Sequence, residues 1–241
     1  VWVASDCDPL PDNLGARAYA IPMRASNLSE DVSGLPFPIW GPASLSRLRR
    51  ECRVADVVHL HDFMYPGTEA AFAFAGRYSV PCLLTQHVGF IPYRSPVLRC
   101  ILRTAHATLG RMVLQRVGQA VFVSRVVRDY FASMVRFRRE PLLVPNGVDT
   151  EVFFPAFGPE RAAARASLEI DPARPVLLFV GRFVERKGLP FLKALAPRFP
   201  RTLWLFAGRG PQDPESWGLP NVRVLRGRSG AHLATVYQAA D

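Results

Sequence analysis

Lysine is almost absent from this sequence. Of its 30 basic residues only Lys187 and Lys193 are lysine, the others being arginine. Cysteine is scarce as well. The four, Cys7, Cys52, Cys82 and Cys100, form no CxxC pair and no Cys/His spacing of a zinc site. That excludes zinc ribbons and dithiol redox motifs, and reads as buried or free thiols in a reducing compartment. No apolar run approaches the roughly 20 residues that a membrane-spanning helix needs, and no secretory leader pattern opens the chain. There is no G-x-G-x-x-G either: Gly208-Arg-Gly210 is a lone GxG, too weak for a dinucleotide fingerprint.

What is present is an ordinary globular balance. The 241 residues are 49% hydrophobic and 21% charged, enough for two modest domains or one large one with a sizeable core. The net charge of +10 suits nucleic acid, anionic lipid or a nucleotide substrate and does not choose among them. An arginine bias of this kind is also what a basic proteome produces. No basic patch interleaved with aromatics supports nucleic acid.

The stretch Arg174-Pro-Val-Leu-Leu-Phe-Val-Gly-Arg-Phe-Val-Glu-Arg-Lys-Gly188 organises the rest. Val176 to Val180 is an unbroken apolar run, the pattern of a parallel strand buried on both faces. Gly181 stops it, and Lys187-Gly188 opens an apolar-periodic segment, Leu189 to Leu195, that predicts a helix. A strand, a glycine turn and a helix start form the usual phosphate site of an α/β protein, because the helix end offers unpaired N–H groups and a partial positive charge. Arg182 and Lys187 add two full charges on the same loop. Arginine grips phosphate bidentately, and lysine acts as a point charge. The plainer reading is a βα connection with solvated basic residues.

Elsewhere strands and helices alternate. Val1 to Ser5 predicts a short strand followed by a turn-rich stretch to Gly15. Asp6-Cys7-Asp8 is a DxD, which can hold a divalent metal through two carboxylates; an aspartate-rich turn is the expected reading. Residues 24–42 read as loop or weak strand, and 44–53 as a short basic helix. Val54 to His61 predicts a strand ending in His59, His61 and Asp62. Alternate histidines share a strand face, but a third ligand at suitable spacing is not apparent, so no metal is expected. One histidine is expected to pack and the other to line a loop at the strand's carboxyl end, where open α/β sheets bind ligands. His87 follows the next strand, 80–85, beside Gly89.

Ser95-Pro96 is an N-cap and first-turn pair that predicts one long helix to about Val117. Its core face would carry Leu98, Ile101, Leu102, Ala105, Leu109, Met112 and Val113, with Arg99, Arg103 and His106 opposite. Such a basic face also suits an anionic membrane. Strands at 119–124 and 141–145 and a helix at 126–134 complete the first half. The β-α alternation predicts an α/β protein with parallel sheets, and residues 155–174 read as the junction to a second sheet. There, strands at 201–208 and 222–227 and a helix at 231–240 follow the central stretch.

The order of these motifs resembles glycosyltransferase family 4, the retaining sugar transferases of GT-B fold. The pieces are Asp56-Val-Val-His-Leu-His61, Leu84-Thr-Gln-His-Val-Gly89, Val121-Phe-Val-Ser124, Val144-Pro-Asn-Gly-Val-Asp149, Phe179 to Gly188, Phe206-Ala-Gly-Arg-Gly-Pro211 and Leu233 to Asp241. The resemblance implies two Rossmann-like domains with parallel sheets: residues 1–155 on the acceptor side, and 156–241 binding the nucleotide sugar, the second incomplete. It implies that Arg182 and Lys187 hold the donor diphosphate and stabilise the charge that grows as it leaves, so that no metal or other cofactor is needed. Gly181, Gly208 and Gly227 would line the donor site, and His87 would lie near the transferred sugar. His61 and Asp62 would stand at the cleft edge, and Asn146-Gly147 and Asp149 would form a structural turn. The implied activity is transfer from a UDP- or GDP-sugar to a glycan, lipid or small-molecule acceptor. The implied setting is cytoplasmic, with peripheral contact at the inner face of the cytoplasmic membrane.

The sequence also departs from the family. The family's first strand and glycine-rich acceptor loop, expected before Val1, and its pair of glutamates, expected after Asp241, are not in it. The expectation is therefore a fragment with little transferase activity of its own. Two other readings stay open: a different GT-B enzyme such as a nucleotide-sugar epimerase, and a non-catalytic basic binding module. Nucleic-acid binding by the latter would weaken steeply with salt and tolerate loss of Lys187.

Overall fold

A computed structural model describes residues 1–7, 17–26, 38–93 and 95–241. The chain separates into two compact units, Val1–Asn146 and Gly147–Asp241. The division falls at the Asn146-Gly147 turn. Just beyond it, the Asp149 carboxylate accepts the backbone N–H groups of Glu151 and Val152 at 3.0 and 3.3 Å.

In the first unit, β1 (Trp2–Ser5) pairs in parallel with β2 (Ala20–Met23), and β3 (Ala25–Ser26) pairs antiparallel with β4 (Ile39–Trp40). Helix α1 (Pro42–Val54) leads to β5 (Val58–His61), and α2 (Pro66–Arg77) to β6 (Cys82–Gln86). Helices α3 (Pro96–Ala105) and α4 (Arg111–Arg116) precede β7 (Gln119–Phe122), and α5 (Arg125–Ala132) precedes β8 (Leu142–Leu143). Strands β5-β6-β7-β8 form one parallel sheet in sequence order. Its core joins Leu60, Leu84, Ala120 and Phe122 from the strands to Phe63, Val113, Leu114 and Phe131.

The helix start at Ser95 is as read: the Ser95 hydroxyl accepts the Leu98 N–H at 3.3 Å, and Pro96 opens the first turn. The helix also runs on to Arg116 without a break in helical backbone, close to the expected end at Val117, but its interior is not uniform. A π turn at His106–Gly110 separates α3 from α4. One extra residue per turn rotates the side-chain register that a 3.6-residue period assumes. His106, at the start of the π turn, faces inward, 1% exposed, while Ile101, upstream of that turn and expected in the core, is 58% exposed. The His106 Nδ1 lies 2.9 Å from the Tyr130 hydroxyl, and its ring packs on Phe63 and Phe131. Arg103 lies over the Phe90 ring, 5.0 Å from its centroid.

The first DxD carboxylate is committed to the backbone: Asp6 Oδ1 accepts the Ala25 N–H at 2.9 Å. Asp8 lies outside the described residues, as does most of the 24–42 stretch.

The second unit holds α6 (Gly158–Ser167), β9 (Val176–Val180), α7 (Leu189–Leu195), β10 (Leu203–Ala207), β11 (Val222–Leu225) and α8 (Gly230–Ala239). The sheet is parallel, in the order β11-β10-β9. Strand β9 spans the expected residues, but the strand buried on both faces is β10, all five of whose residues are buried. Leu177 of β9 is 47% exposed, because β9 lies at the edge of the described sheet; an apolar run alone does not tell an edge from a centre. Alternation along β10 sends Leu203, Leu205 and Ala207 into one core with Val236 and Ala239 of α8. Trp204 and Phe206 enter the other, with Phe183 and Leu189. Each large side chain so buried contributes roughly 1.5–3 kcal/mol.

Arg165 of α6, 5% exposed, closes this unit. It donates to the carbonyls of Ala239, Pro172 and Arg174 and to Asp241 Oδ2 at 2.8 Å. The same Asp241 oxygen accepts the Val176 N–H at 2.7 Å, starting β9.

Candidate functional site

The candidate residues collect at the carboxyl ends of parallel strands, the edge at which open α/β sheets bind ligands. In the first unit His61 closes β5 with Asp62 after it, and His87 follows β6. In the second unit Gly181 follows β9, Gly208 follows β10, and Gly227 stands two residues beyond β11. Arg182 and Lys187 lie exposed on the loop from β9 to α7.

Strands β5 and β6 pair in register, His61 opposite Thr85, and this brings the three histidines together. His61 Nδ1 lies 3.0 Å from His87 Nε2, the two rings stacked at 5.3 Å between centroids. His59 lies on the other side, its ring centroid 4.4 Å from that of His61 and its Nε2 2.8 Å from the Thr85 hydroxyl. Neither His59 nor His61 packs into the core; both are open to solvent, and the inward position between them is taken by Leu60. No group of three or more His, Cys, Asp or Glu side chains with metal-binding geometry occurs among the described residues.

Asp62 is buried and in the left-handed region, φ 52°, a conformation that aspartate tolerates better than most residues. Its own N–H donates to Thr85 O at 2.9 Å. Its Oδ1 accepts the N–H groups of His87 at 2.9 Å and Val88 at 3.1 Å. Gln86, 1% exposed, closes the frame: Oε1 accepts the Phe63 N–H at 3.3 Å and Nε2 donates to Val88 O at 2.7 Å. The loops after β5 and β6 are thus stitched together by two side chains. Sequence reading placed Asp62 here without its task and passed over Gln86, whose signal is a buried-strand position occupied by an amide.

Burial lowers the pKa of His61, as do the nearby His59 and His87, with Asp62 opposing. Burial, then His87, lowers His59 as well. Both rings favour the neutral form, which suits hydrogen bonding rather than ion pairing. Glu69, in the first turn of α2, was not anticipated: burial pushes its carboxyl up to about 7, and Oε1 has no hydrogen-bond partner.

In the second unit the turns after β9 and β10 run against each other. Gly181 N–H donates to Ala207 O at 3.0 Å, Phe183 N–H to Arg209 O at 2.8 Å, and Gln212 N–H to Phe183 O at 3.0 Å. A Cβ on Gly208 would stand 2.0 Å from Gly181 O, and one on Gly210 2.5 Å from Phe183 O. The lone GxG is therefore a close-approach device that lets one loop back onto the other. Gly188, φ 84°, turns the chain into α7 immediately after Lys187. Beside Gly227, Arg226 bonds Asp213 and, at 2.7 Å, Glu215, tying the turn after β11 to residues 213–215.

A family model for Glycosyltransferase Family 4 matches residues 11–152. Alpha-maltose-1-phosphate synthase of Mycolicibacterium smegmatis is 31% identical over 169 residues, covering 66% of this chain and 41% of the relative. Sucrose-phosphate synthase from Thermosynechococcus elongatus superposes with a TM-score of 0.68 at 19% identity, over 99% of this chain and 62% of that one. Anabaena HepE, solved in complex with UDP-glucose, does so with a TM-score of 0.63 at 14% identity, over 92% and 58%. These likenesses show a GT-B fold. The chain spans less than two thirds of the length of each of these proteins, from 41% to 62%.

Proposed function

The chain belongs to glycosyltransferase family 4, and on that premise we propose that it forms part of a retaining transferase that takes its sugar from a nucleoside-diphosphate sugar. The unit Val1–Asn146 would serve the acceptor and the unit Gly147–Asp241 the donor.

The observation that carries this reading is the carboxyl edge of β9-β10-β11. Three adjacent parallel strands end in turns at Gly181, Gly208 and Gly227, and the exposed Arg182 and Lys187 flank the first of them. Glycine turns let a ligand approach the backbone, and two cations suit a diphosphate. In the proposed reaction the bond from the anomeric carbon to the diphosphate oxygen breaks. The acceptor hydroxyl then attacks from the same face, and its proton passes to the departing phosphate. Arg182 and Lys187 stabilise the charge that develops on that phosphate, so no metal is required. His87 is the residue of the first unit proposed to serve the transferred sugar. The likeness to a protein solved with UDP-glucose supports a uridine donor, with GDP-sugars as the other class to test.

No helix among the described residues is long and apolar enough to cross a membrane. The proposed setting is cytoplasmic, with peripheral contact through the exposed Val97 and Ile101 of α3 beside Arg103; the acceptor is a glycan, a lipid-linked glycan or a small molecule. The test is to incubate the full-length protein with UDP- and GDP-sugars. Transfer, or hydrolysis of the donor with retained anomeric configuration, supports the reading. Neither reaction with any donor sinks it, and a new nucleotide sugar as product assigns an epimerase instead.

A further inference from the structure

We propose that His61 is the positioning residue of His87: through the contact of its Nδ1 with His87 Nε2 it fixes the ring orientation and the tautomer of the histidine assigned above to the transferred sugar. The consequence for chemistry rests on that assignment; the contact itself does not.

His87 sits in a loop, and its backbone is pinned by the Asp62 carboxylate. That leaves its two side-chain torsions, which a half-buried imidazole can still sample. The partner that limits them is His61, 3.0 Å away nitrogen to nitrogen and stacked at 5.3 Å with 22° between ring planes. A hydrogen bond between two neutral imidazoles needs one N–H and one lone pair, so the tautomer of one ring dictates that of the other. With Nε2 committed to His61, the Nδ1 edge of His87 has one defined character, donor or acceptor, toward a sugar hydroxyl. The same logic fixes metal-ligating histidines through the partner of their second nitrogen.

His61 is itself well held. It belongs to β5, which pairs residue by residue with β6. Its carbonyl accepts the Thr68 hydroxyl at 3.3 Å, and its ring packs against His59, which is anchored on Thr85. Rigid strands thus reach a loop side chain through stacked imidazoles. A histidine serving the core would be buried, whereas His61 is exposed. Its imidazole meets His87 and His59 rather than the core.

The test reads the ring nitrogens of the uniformly 15N-labelled chain by long-range 1H–15N spectroscopy at neutral pH. The wild type is expected to show two well-separated His87 nitrogen resonances, one protonated and one bare. His61→Phe keeps a stacking ring but removes the nitrogen, and should collapse that separation toward a tautomer average. His61→Asn, which returns a hydrogen-bonding group, should restore it. A scalar coupling across the bond between His61 Nδ1 and His87 Nε2 in the wild type tests the contact even if His61→Phe does not fold. Absence of that coupling with both signals resolved, or a His87 tautomer unchanged in His61→Phe, overturns the proposal. In the full-length protein the same substitution should lower kcat about tenfold or more with donor KM nearly unchanged, and His61→Asn should recover part of the loss. A His87 tautomer that follows His61 in a protein without transfer activity upholds the positioning and refutes the transferase reading.

Discussion

The carboxylate of Asp62 holds the backbone of His87: one oxygen accepts the His87 N–H at 2.9 Å and the Val88 N–H at 3.1 Å. Asp62 adopts φ 52° while doing so, and its burial means that no solvent replaces it. Asp62→Ala leaves two N–H groups without an acceptor and should cost about 1–3 kcal/mol. Asp62→Asn keeps an acceptor oxygen and tolerates the left-handed backbone, so it should cost less than about 1 kcal/mol. Hydrogen exchange at the His87 and Val88 amides checks this directly, accelerating in the alanine variant and staying near wild type in the asparagine variant.

Burial lowers the pKa of His106 to about 4, from an ordinary 6.5. The folded state therefore resists a proton that the unfolded chain accepts. His106's own contribution to the stability of the first unit should be full above about pH 6.5 and fade as the pH falls toward 4, by about 3 kcal/mol, against the opposite trend set by Glu69. His106→Gln should flatten that slope. Urea midpoints of the first unit measured at pH 7 and pH 4.5 give the comparison.

Two glycines at the carboxyl edge of β9-β10-β11 should differ in what they tolerate. Gly208→Ala drives a methyl group into the Gly181 carbonyl at φ 152° and should cost at least about 3 kcal/mol. Gly227 stands in open space, so Gly227→Ala meets only its φ of 67° and should cost about 1 kcal/mol. Thermal unfolding of the two variants separates a packing requirement from a conformational one.

Glu69 bears on stability in the opposite sense to His106. Its raised pKa of about 7 means that the fold favours the protonated carboxyl, so this group's contribution is present at low pH and is lost as the pH rises from about 4.5 to 7. Glu69→Gln removes the buried charge and should stabilise the chain by about 1–2 kcal/mol at pH 8 and little at pH 4. Paired denaturation curves at those two pH values measure the difference.

Much of this was legible from local pattern. Strand β9 was read to the residue because its apolar run is bounded by Pro175 and Gly181, and the cap at Ser95 because serine before proline has few other uses. The π turn at His106–Gly110 was not, because no residue type marks it and periodicity assumes an unbroken 3.6-residue turn. His61 and His87 could be placed at strand ends, but their contact depends on the β5–β6 register. A register shift of one residue would point His61 to the other face. The framing by Asp62 and Gln86 is likewise a product of pairing between distant segments, which spacing along the chain does not encode.

The central claim is that Arg182 and Lys187 bind the diphosphate of a nucleotide sugar. Calorimetric titration of UDP and GDP into the wild-type chain and into Arg182→Ala/Lys187→Ala tests it most directly. Both side chains are exposed, so the double variant should unfold within about 1 kcal/mol of wild type. The account predicts saturable binding of at least one nucleotide by the wild type, weakened at least about tenfold in the double variant. Equal affinity in the two proteins, or binding that both lose in parallel with rising salt, would contradict it.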